Sequence, residues 1–173
     1  MIVPLEMAKK LPGYLDMAEE EVTAHLGAVE SRIRAITHND FRNLDMDAFG
    51  YVQGGNFRGP SQYFQIGDRV QVSQCVANNG LYDIVMIAGD LITLDRPLYE
   101  CDHLRLAKVV YPPDVQAGAI AILKWEQSPH ADKAGIASES LSRHSVSYVS
   151  GEYSGGYPKA LTSFLAPYMK ARF

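Results

Sequence analysis

The stretch GDRVQVSQCVANNGLYDIVMIAGDLITLDRPLYECDHLRLAKVV, residues 67–110, carries a hydrophobic period of two. Val70 and Val72 alternate with polar neighbours, and Leu81 to Ile87, Leu91 to Leu94 and Leu104 to Val110 supply further strand candidates, because successive side chains of a strand point to opposite faces. Asn79-Gly80 and Gly89-Asp90 are dipeptides that readily take the positive φ of tight hairpins. The pattern predicts an antiparallel β-meander, and four short strands can close into a small barrel or lie on helices.

Upstream, residues 42–62 mix Gly50, Gly54, Gly55, Gly59 and Pro60 with Phe49, Tyr51 and Phe57. This reads as an irregular loop whose aromatic side chains pack on a neighbour. Further upstream, Leu15, Ala18, Val22, Leu26, Val29, Ile33 and Ile36 recur at threes and fours, one stripe down a long helix after Pro12 and Gly13. Asp16 and Glu19 to Glu21 load its first turns and Arg32 and Arg34 its last, as the helix dipole favours. His38-Asn39-Asp40 stops the pattern, and Phe41 packs the exit.

Downstream, Pro112-Pro113-Asp114 opens a helix to about Gln127, with Val115, Ala119, Ile122, Leu123 and Trp125 on its apolar face. Ala117, Gly118 and Ala119 would let another helix approach closely. A serine-rich run to Tyr148 reads as extended and dependent on a partner. From Pro158 a last helix places Leu161, Phe164, Leu165, Tyr168 and Met169 on one face, with Pro167 bending or ending it early. The expected class is α+β, a small helical bundle of N-terminal, middle and C-terminal helices with an inserted antiparallel β-meander or small barrel. Its parts are an N-terminal helix in 1–41, a loop and β-rich insertion in 42–110, a second helix in 111–134, and an extended segment with a docking helix in 135–173.

The 173 residues, 47% hydrophobic, suit one globular domain or one domain with an insertion. No apolar run approaches the roughly 18–20 residues of a membrane span, and the start MIVPLE lacks a basic region followed by an apolar one. A protein of the cytoplasm, without a membrane partner, is therefore expected. Cys75 and Cys101 are the only cysteines and lack CxxC spacing, so the expectation is two buried thiols and no disulfide framework. Charge is unevenly spread: residues 1–132 hold 11 Lys/Arg against 18 Asp/Glu, a balance of −7, whereas residues 133–173 hold 5 against 2, a balance of +3. An acidic body with a basic end suits head-to-tail contact between copies, and the overall acidity disfavours tight DNA binding.

Chemical motifs are weak. Ser145 beside His144 lacks a GxSxG elbow, and neighbours on an extended segment face opposite ways, so no catalytic residue is expected. Asn43 to Gly50 has the acidic spacing of a calcium loop but not the closing Glu, and Cys75, Cys101 and His103 make a poor zinc set, so no metal or other cofactor is expected. Tyr51, Phe57, Tyr63 and Phe64 near Arg42, Arg58 and Arg69 suggest core or interface packing before a nucleic-acid platform.

The final third, GIASESLSRHSVSY at 135–148 and GGYPKALTSFLAPYMKARF at 155–173, cannot form a core alone and reads as an attachment segment. It resembles the C-terminal signature of phage head-to-tail connector proteins, also called head-completion or adaptor proteins. The resemblance covers about the last 60 residues, and the long N-terminal helix is similar in order and character; the β-rich insertion at 42–108 departs from many relatives, which are shorter there. The resemblance implies a non-enzymatic structural protein of long-tailed double-stranded DNA phages, assembled in the host cytoplasm and placed in the neck of the virion. Its implied partners are copies of itself in a closed ring, the portal protein above, a downstream neck or tail completion protein, and genomic DNA passing through the lumen without sequence-specific binding. Portal attachment falls on about Ile136 to Tyr148 and Pro158 to Phe173, where Arg143, His144, Tyr148, Lys159, Tyr168, Lys170 and Arg172 are the expected contacts. An alternative is a small β-domain that binds a ligand or peptide, with the C-terminal segment as an oligomerisation arm.

Overall fold

Two compact units share the chain: Met1–Asn39 with Tyr111–Phe173, and Asp40–Val110. The computed structural model describes residues 1–128, 138–141, 144–147, 153–154 and 156–171. The class is α+β, as expected.

The Asp40–Val110 unit is a closed antiparallel barrel of β1 (Arg42–Gln53), β2 (Asn56–Arg58), β3 (Arg69–Ser73), β4 (Gly80–Ala88), β5 (Leu91–Leu94) and β6 (Cys101–Val109), in the order β1-β2-β5-β4-β3-β6. Its inward positions alternate along each strand, as the period of two requires. Val70 and Val72 of β3, Ile84 of β4, Ile92 of β5 and Leu104 and Leu106 of β6 meet inside. The strand runs of residues 67–110 are therefore real: β3, β4 and β5 pair in succession as a meander, and the sheet closes into a small barrel, as expected. β6 pairs with β3 (Val72↔Leu106) and with β1 (Ala48↔Leu106), while β5 pairs onward with β2.

Residues 42–62 are not an irregular loop. They hold the 12-residue β1 and the short β2, joined at Gly54-Gly55, whose φ of 59° and 78° give the tight turn between Gln53 and Asn56. Gly50 and Gly59 have another purpose: a Cβ at either would overlap the ring of Phe57, which is wholly buried. The glycines that suggest a loop in sequence are thus the hollow that seats one aromatic ring. The strand runs through Asn43 to Gly50, and Asp47 accepts a hydrogen bond from Arg105 Nε at 2.6 Å.

Of the two expected hairpins, Gly89-Asp90 joins β4 to β5, with Ala88 opposite Leu91 and Gly89 at φ 63°. Asn79-Gly80 does not make a tight turn. Residues 74–79 cross from β3 to β4 through a 3₁₀ turn at Val76–Asn78, Asn79 has φ −57°, and Gly80 already belongs to β4. Buried Asn78 explains the detour, since its side-chain amide bonds both backbone groups of Tyr99 at 2.8 Å. Cys75 and Cys101 are free and half-buried, more open than expected.

In the helical unit, α1 (Leu5–Ala8) precedes α2 (Glu19–Thr37), and α3 spans Pro113–Glu126. Val22, Leu26, Val29 and Ile33 form the buried stripe of α2, and His38, left-handed at φ 50°, ends it where the sequence signals a stop. The helix begins four residues later than the stripe suggests. Leu15 is 64% exposed because residues before Glu19 fold in turns that bury Leu11 and Tyr14 instead. Glu30, 1% exposed, accepts the Tyr111 hydroxyl at 2.7 Å, which supplies the partner that a buried carboxylate requires. In α3, Val115, Ala119, Ile122 and Leu123 are buried as expected, and Pro113 stands in the first turn. No helix among the described residues is long and apolar enough to cross a membrane.

Asp83 and Arg69, opposite each other on β4 and β3, join through Arg69 Nε and Asp83 Oδ1 at 2.8 Å. Burial raises the carboxyl, but the hydrogen bond and charge of Arg69 outweigh it and hold the group below its ordinary value of 3.8. A depressed carboxylate stabilises the fold above that value and loses its contribution as the pH falls through the folded-state value. Asp83→Asn should cost roughly 1–3 kcal/mol at neutral pH. In denaturant melts from neutral to strongly acid pH, the gap between wild type and variant should narrow in acid; a gap constant with pH would count against the pairing.

Candidate docking site

The helix α3 ends at Glu126, and the described chain runs without interruption again from Gly156. Tyr157 is buried there, and its hydroxyl donates to Glu126 Oε1 at 2.5 Å. Its ring stands edge-on to Trp125 (centroids 5.7 Å apart, 83° between planes), and the Arg32 guanidinium lies over it at 5.2 Å. His25 Nδ1 is 4.0 Å from the second Glu126 oxygen. Gly156 is favoured here by its φ of 86°, and the tip of the Arg32 side chain lies where a Cβ would stand. The segment 127–156, an excursion in sequence, is thus flanked by two residues that a phenol–carboxylate bond joins. Burial, followed by Glu126, raises the Tyr157 phenol above its ordinary value of 10.0.

Within the excursion, β7 (Ser138–Leu141) and β8 (His144–Ser147) pair with each other, Ser138 opposite Ser147 and Leu141 opposite His144. The serine-rich run expected to be extended is a two-stranded hairpin over these residues. Farther on, β9 (Tyr153–Ser154) pairs with β10 (Tyr157–Pro158) just before α4 (Lys159–Thr162).

The expected docking helix is neither one α-helix nor free of the body. After α4 the chain tightens into a 3₁₀ run, Ser163–Tyr168. Pro167 lies inside it, where a missing N–H and the ring prevent an α-helix from continuing. Thr162 and Leu165 are buried, and the Phe164 ring occupies the place that a Cβ on Gly118 would take. The close approach read at Ala117-Gly118-Ala119 is therefore made by this aromatic side chain. Tyr168 donates its hydroxyl to Asp114 at 2.8 Å, which raises the phenol, and its carbonyl accepts from Asn39 Nδ2 at 3.2 Å. Lys170 N–H donates to the Thr37 carbonyl at 2.8 Å. The segment folds back because its apolar residues find α3, a fit invisible to a reading of the segment alone.

The expected contacts divide accordingly. Lys159 and Lys170 are exposed, while half-buried Tyr168 is turned to Asp114. Lys159 stands on the rim of an apolar groove of about 530 Å³ between Ile36 of α2 and the C-terminal run, floored by Leu165 and Ala166 and ending at exposed Met169. A second hollow follows the outer face of α2 along Ala28, Ser31 and Ala35 and meets the first at Ile36. His144 opens β8, though its side chain lies outside the described residues, as do Arg143, Tyr148 and Arg172. The Ser145–His144 pair falls on consecutive positions of β8. Among the described residues no group of three His, Cys, Asp or Glu can hold a metal ion; His103 is stacked on Phe49 and bonds Gln74 at 3.0 Å. Of the aromatics expected to pack, Phe57 and Phe64 are core residues whereas Tyr51 and Tyr63 are exposed; Arg58 and Arg69 are paired with Asp90 and Asp83.

No protein-family model matches the sequence, and no curated protein matches it either. The residues that the sequence reading missed, Tyr157, Glu126, Trp125 and Arg32, are those that close the excursion. The one local signal was Gly156 beside an aromatic residue.

Tyr157→Phe removes the hydroxyl donor and should destabilise the helical unit by roughly 1.5–3 kcal/mol. Because the folded-state phenol is raised, its contribution is whole below its ordinary value of 10.0 and is lost as the pH climbs toward the raised one. Denaturant melts across neutral and alkaline pH should therefore show the wild-type advantage shrinking above that value. Gly118→Val should cost about 1–3 kcal/mol by displacing Phe164, measured by the same melts and by loss of protection of the C-terminal run in hydrogen exchange.

Proposed function

We propose that this chain is a structural subunit of a phage neck, forming a ring under the portal, joining head to tail and lining part of the DNA channel. The observation that carries this reading is the closed excursion. Its connector-like sequence, 135–148, spans the β7–β8 hairpin, and both ends of the excursion are fixed to one helical unit by the Glu126–Tyr157 bond. An arm anchored at its base suits insertion into a partner, since the docking free energy is not spent on immobilising the base. Arg143, which falls in sequence between the paired Leu141 and His144, is the Arg anchor proposed to enter a portal pocket.

The charge pattern supports the same reading. A ring needs a heterologous contact that closes on rotation, and the acidic body and basic C-terminal portion are complementary surfaces for adjacent copies or for the portal. An acidic channel wall would also let DNA slide without holding its phosphates. The α2 groove rimmed by Lys159 is the surface proposed for the neighbouring copy. Nothing in this role calls for catalysis or a cofactor.

A second reading, a peptide-binding barrel with an oligomerisation arm, draws on one patch. Phe49 and Tyr51 are exposed on β1, with Arg105 over the Phe49 ring at 5.5 Å. The two readings separate on the portal. Mixed with purified portal rings, the wild-type chain should form rings visible by negative stain and a larger particle by mass measurement. Deleting 135–148, with a short Gly-Ser bridge, should abolish binding while the melts of both units persist. Arg143→Ala with His144→Ala should weaken it about 10–100-fold. A chain that stays monomeric with portal present, or a deletion that binds as well as wild type, would overturn the connector reading.

A further inference from the structure

One pair of nucleophilic side chains in the barrel unit has no part in the proposed docking. Asn78, wholly buried, places its amide nitrogen 3.3 Å from Cys75 Sγ and 3.6 Å from Cys101 Sγ while donating to the Tyr99 carbonyl. One amide group therefore holds both thiols. Cys75 follows β3 and Cys101 opens β6, and these strands are hydrogen-bonded neighbours (Ser73↔Arg105). Both sulfurs thus lie against the same amide nitrogen; burial first, then the Cys75 thiol, pushes the Cys101 thiol up, and Cys101 Sγ also lies 3.7 Å from the His103 carbonyl. Both residues are half-buried, open to a small reagent but shielded from another protein's thiol.

We propose that Cys75 and Cys101 are a reversible dithiol–disulfide site, oxidised by small disulfides of the glutathione class. The Cys75 thiolate attacks one sulfur of oxidised glutathione, forming a mixed disulfide and releasing one glutathione thiolate. The Cys101 thiolate then attacks the Cys75 sulfur and releases the second. The protein gives up two electrons and its two thiol protons, and the oxidant is reduced to two molecules of glutathione. The new bond ties the 74–79 connection to the start of β6. It thereby fixes the two loops that present Val76 and Tyr99, 91% and 72% exposed. Closing so long a loop constrains the unfolded chain and stabilises the barrel.

The test incubates the purified full chain with graded ratios of oxidised to reduced glutathione, followed by alkylation, intact-mass measurement and a non-reducing peptide map. The expected result is joint loss of both thiols, a Cys75–Cys101 cross-linked peptide within one chain, and a melting temperature raised by about 5 °C or more, all reversed by dithiothreitol. Cys75→Ser and Cys101→Ser should each give a stable glutathione adduct at the remaining cysteine and no cross-link. Independent adducts on both cysteines of the wild-type chain, a cross-link only between chains, or thiols that stay reduced while a control dithiol protein oxidises would each overturn the proposal. The wild-type map decides the matter without relying on the folding of either variant.

Discussion

The hydrogen bond from Tyr157 to Glu126 joins positions 31 residues apart and ties the start of the C-terminal run to the end of α3. A phenol bonded to a carboxylate is stronger than an ordinary neutral pair. The ring above it adds packing on Trp125 and the Arg32 guanidinium. Once Tyr157 is seated, α4 and the 3₁₀ run follow at fixed offsets, so that Phe164 reaches Gly118 and Tyr168 reaches Asp114. Three attachments along 12 residues of chain, each modest alone, hold the C-terminal run on α2 and α3.

The barrel solves a different problem. Short strands leave unpaired edges that recruit other chains, and closure of β1 onto both β2 and β6 removes them. Closing so small a barrel brings backbones near one another, which is why Gly50 and Gly59 flank Phe57. Charged pairs such as Arg69–Asp83 and Arg105–Asp47 lie outside it, leaving the interior to aliphatic side chains with Phe57, Phe64 and Tyr82.

What could be read from sequence follows the range of the forces involved. The β4–β5 turn, the start of α3 at Pro113 and the end of α2 at His38 depend on residues adjacent in the chain, and each is where the sequence places it. β1 was illegible because its glycines answer to Phe57, and the Asn79-Gly80 turn failed because Asn78 answers to Tyr99. The C-terminal run looked like a free amphipathic helix since its partners, Gly118 and Asp114, lie some fifty residues earlier. Of the candidate contacts, charge picked out Lys159 and Lys170, which are exposed; it said nothing of Tyr157, whose importance comes wholly from a carboxylate on another element.

The barrel strands that begin and end the insertion are neighbours. Arg42 stands opposite Val109, and the Val110 N–H donates to the Phe41 carbonyl. A module whose entry and exit are laced together can be acquired, lengthened or deleted at a single join between Asn39 and Tyr111, with neither hydrophobic core having to be redesigned. Each unit keeps its own packing whatever is spliced at that join, so a change of length in one leaves the other's core as it was.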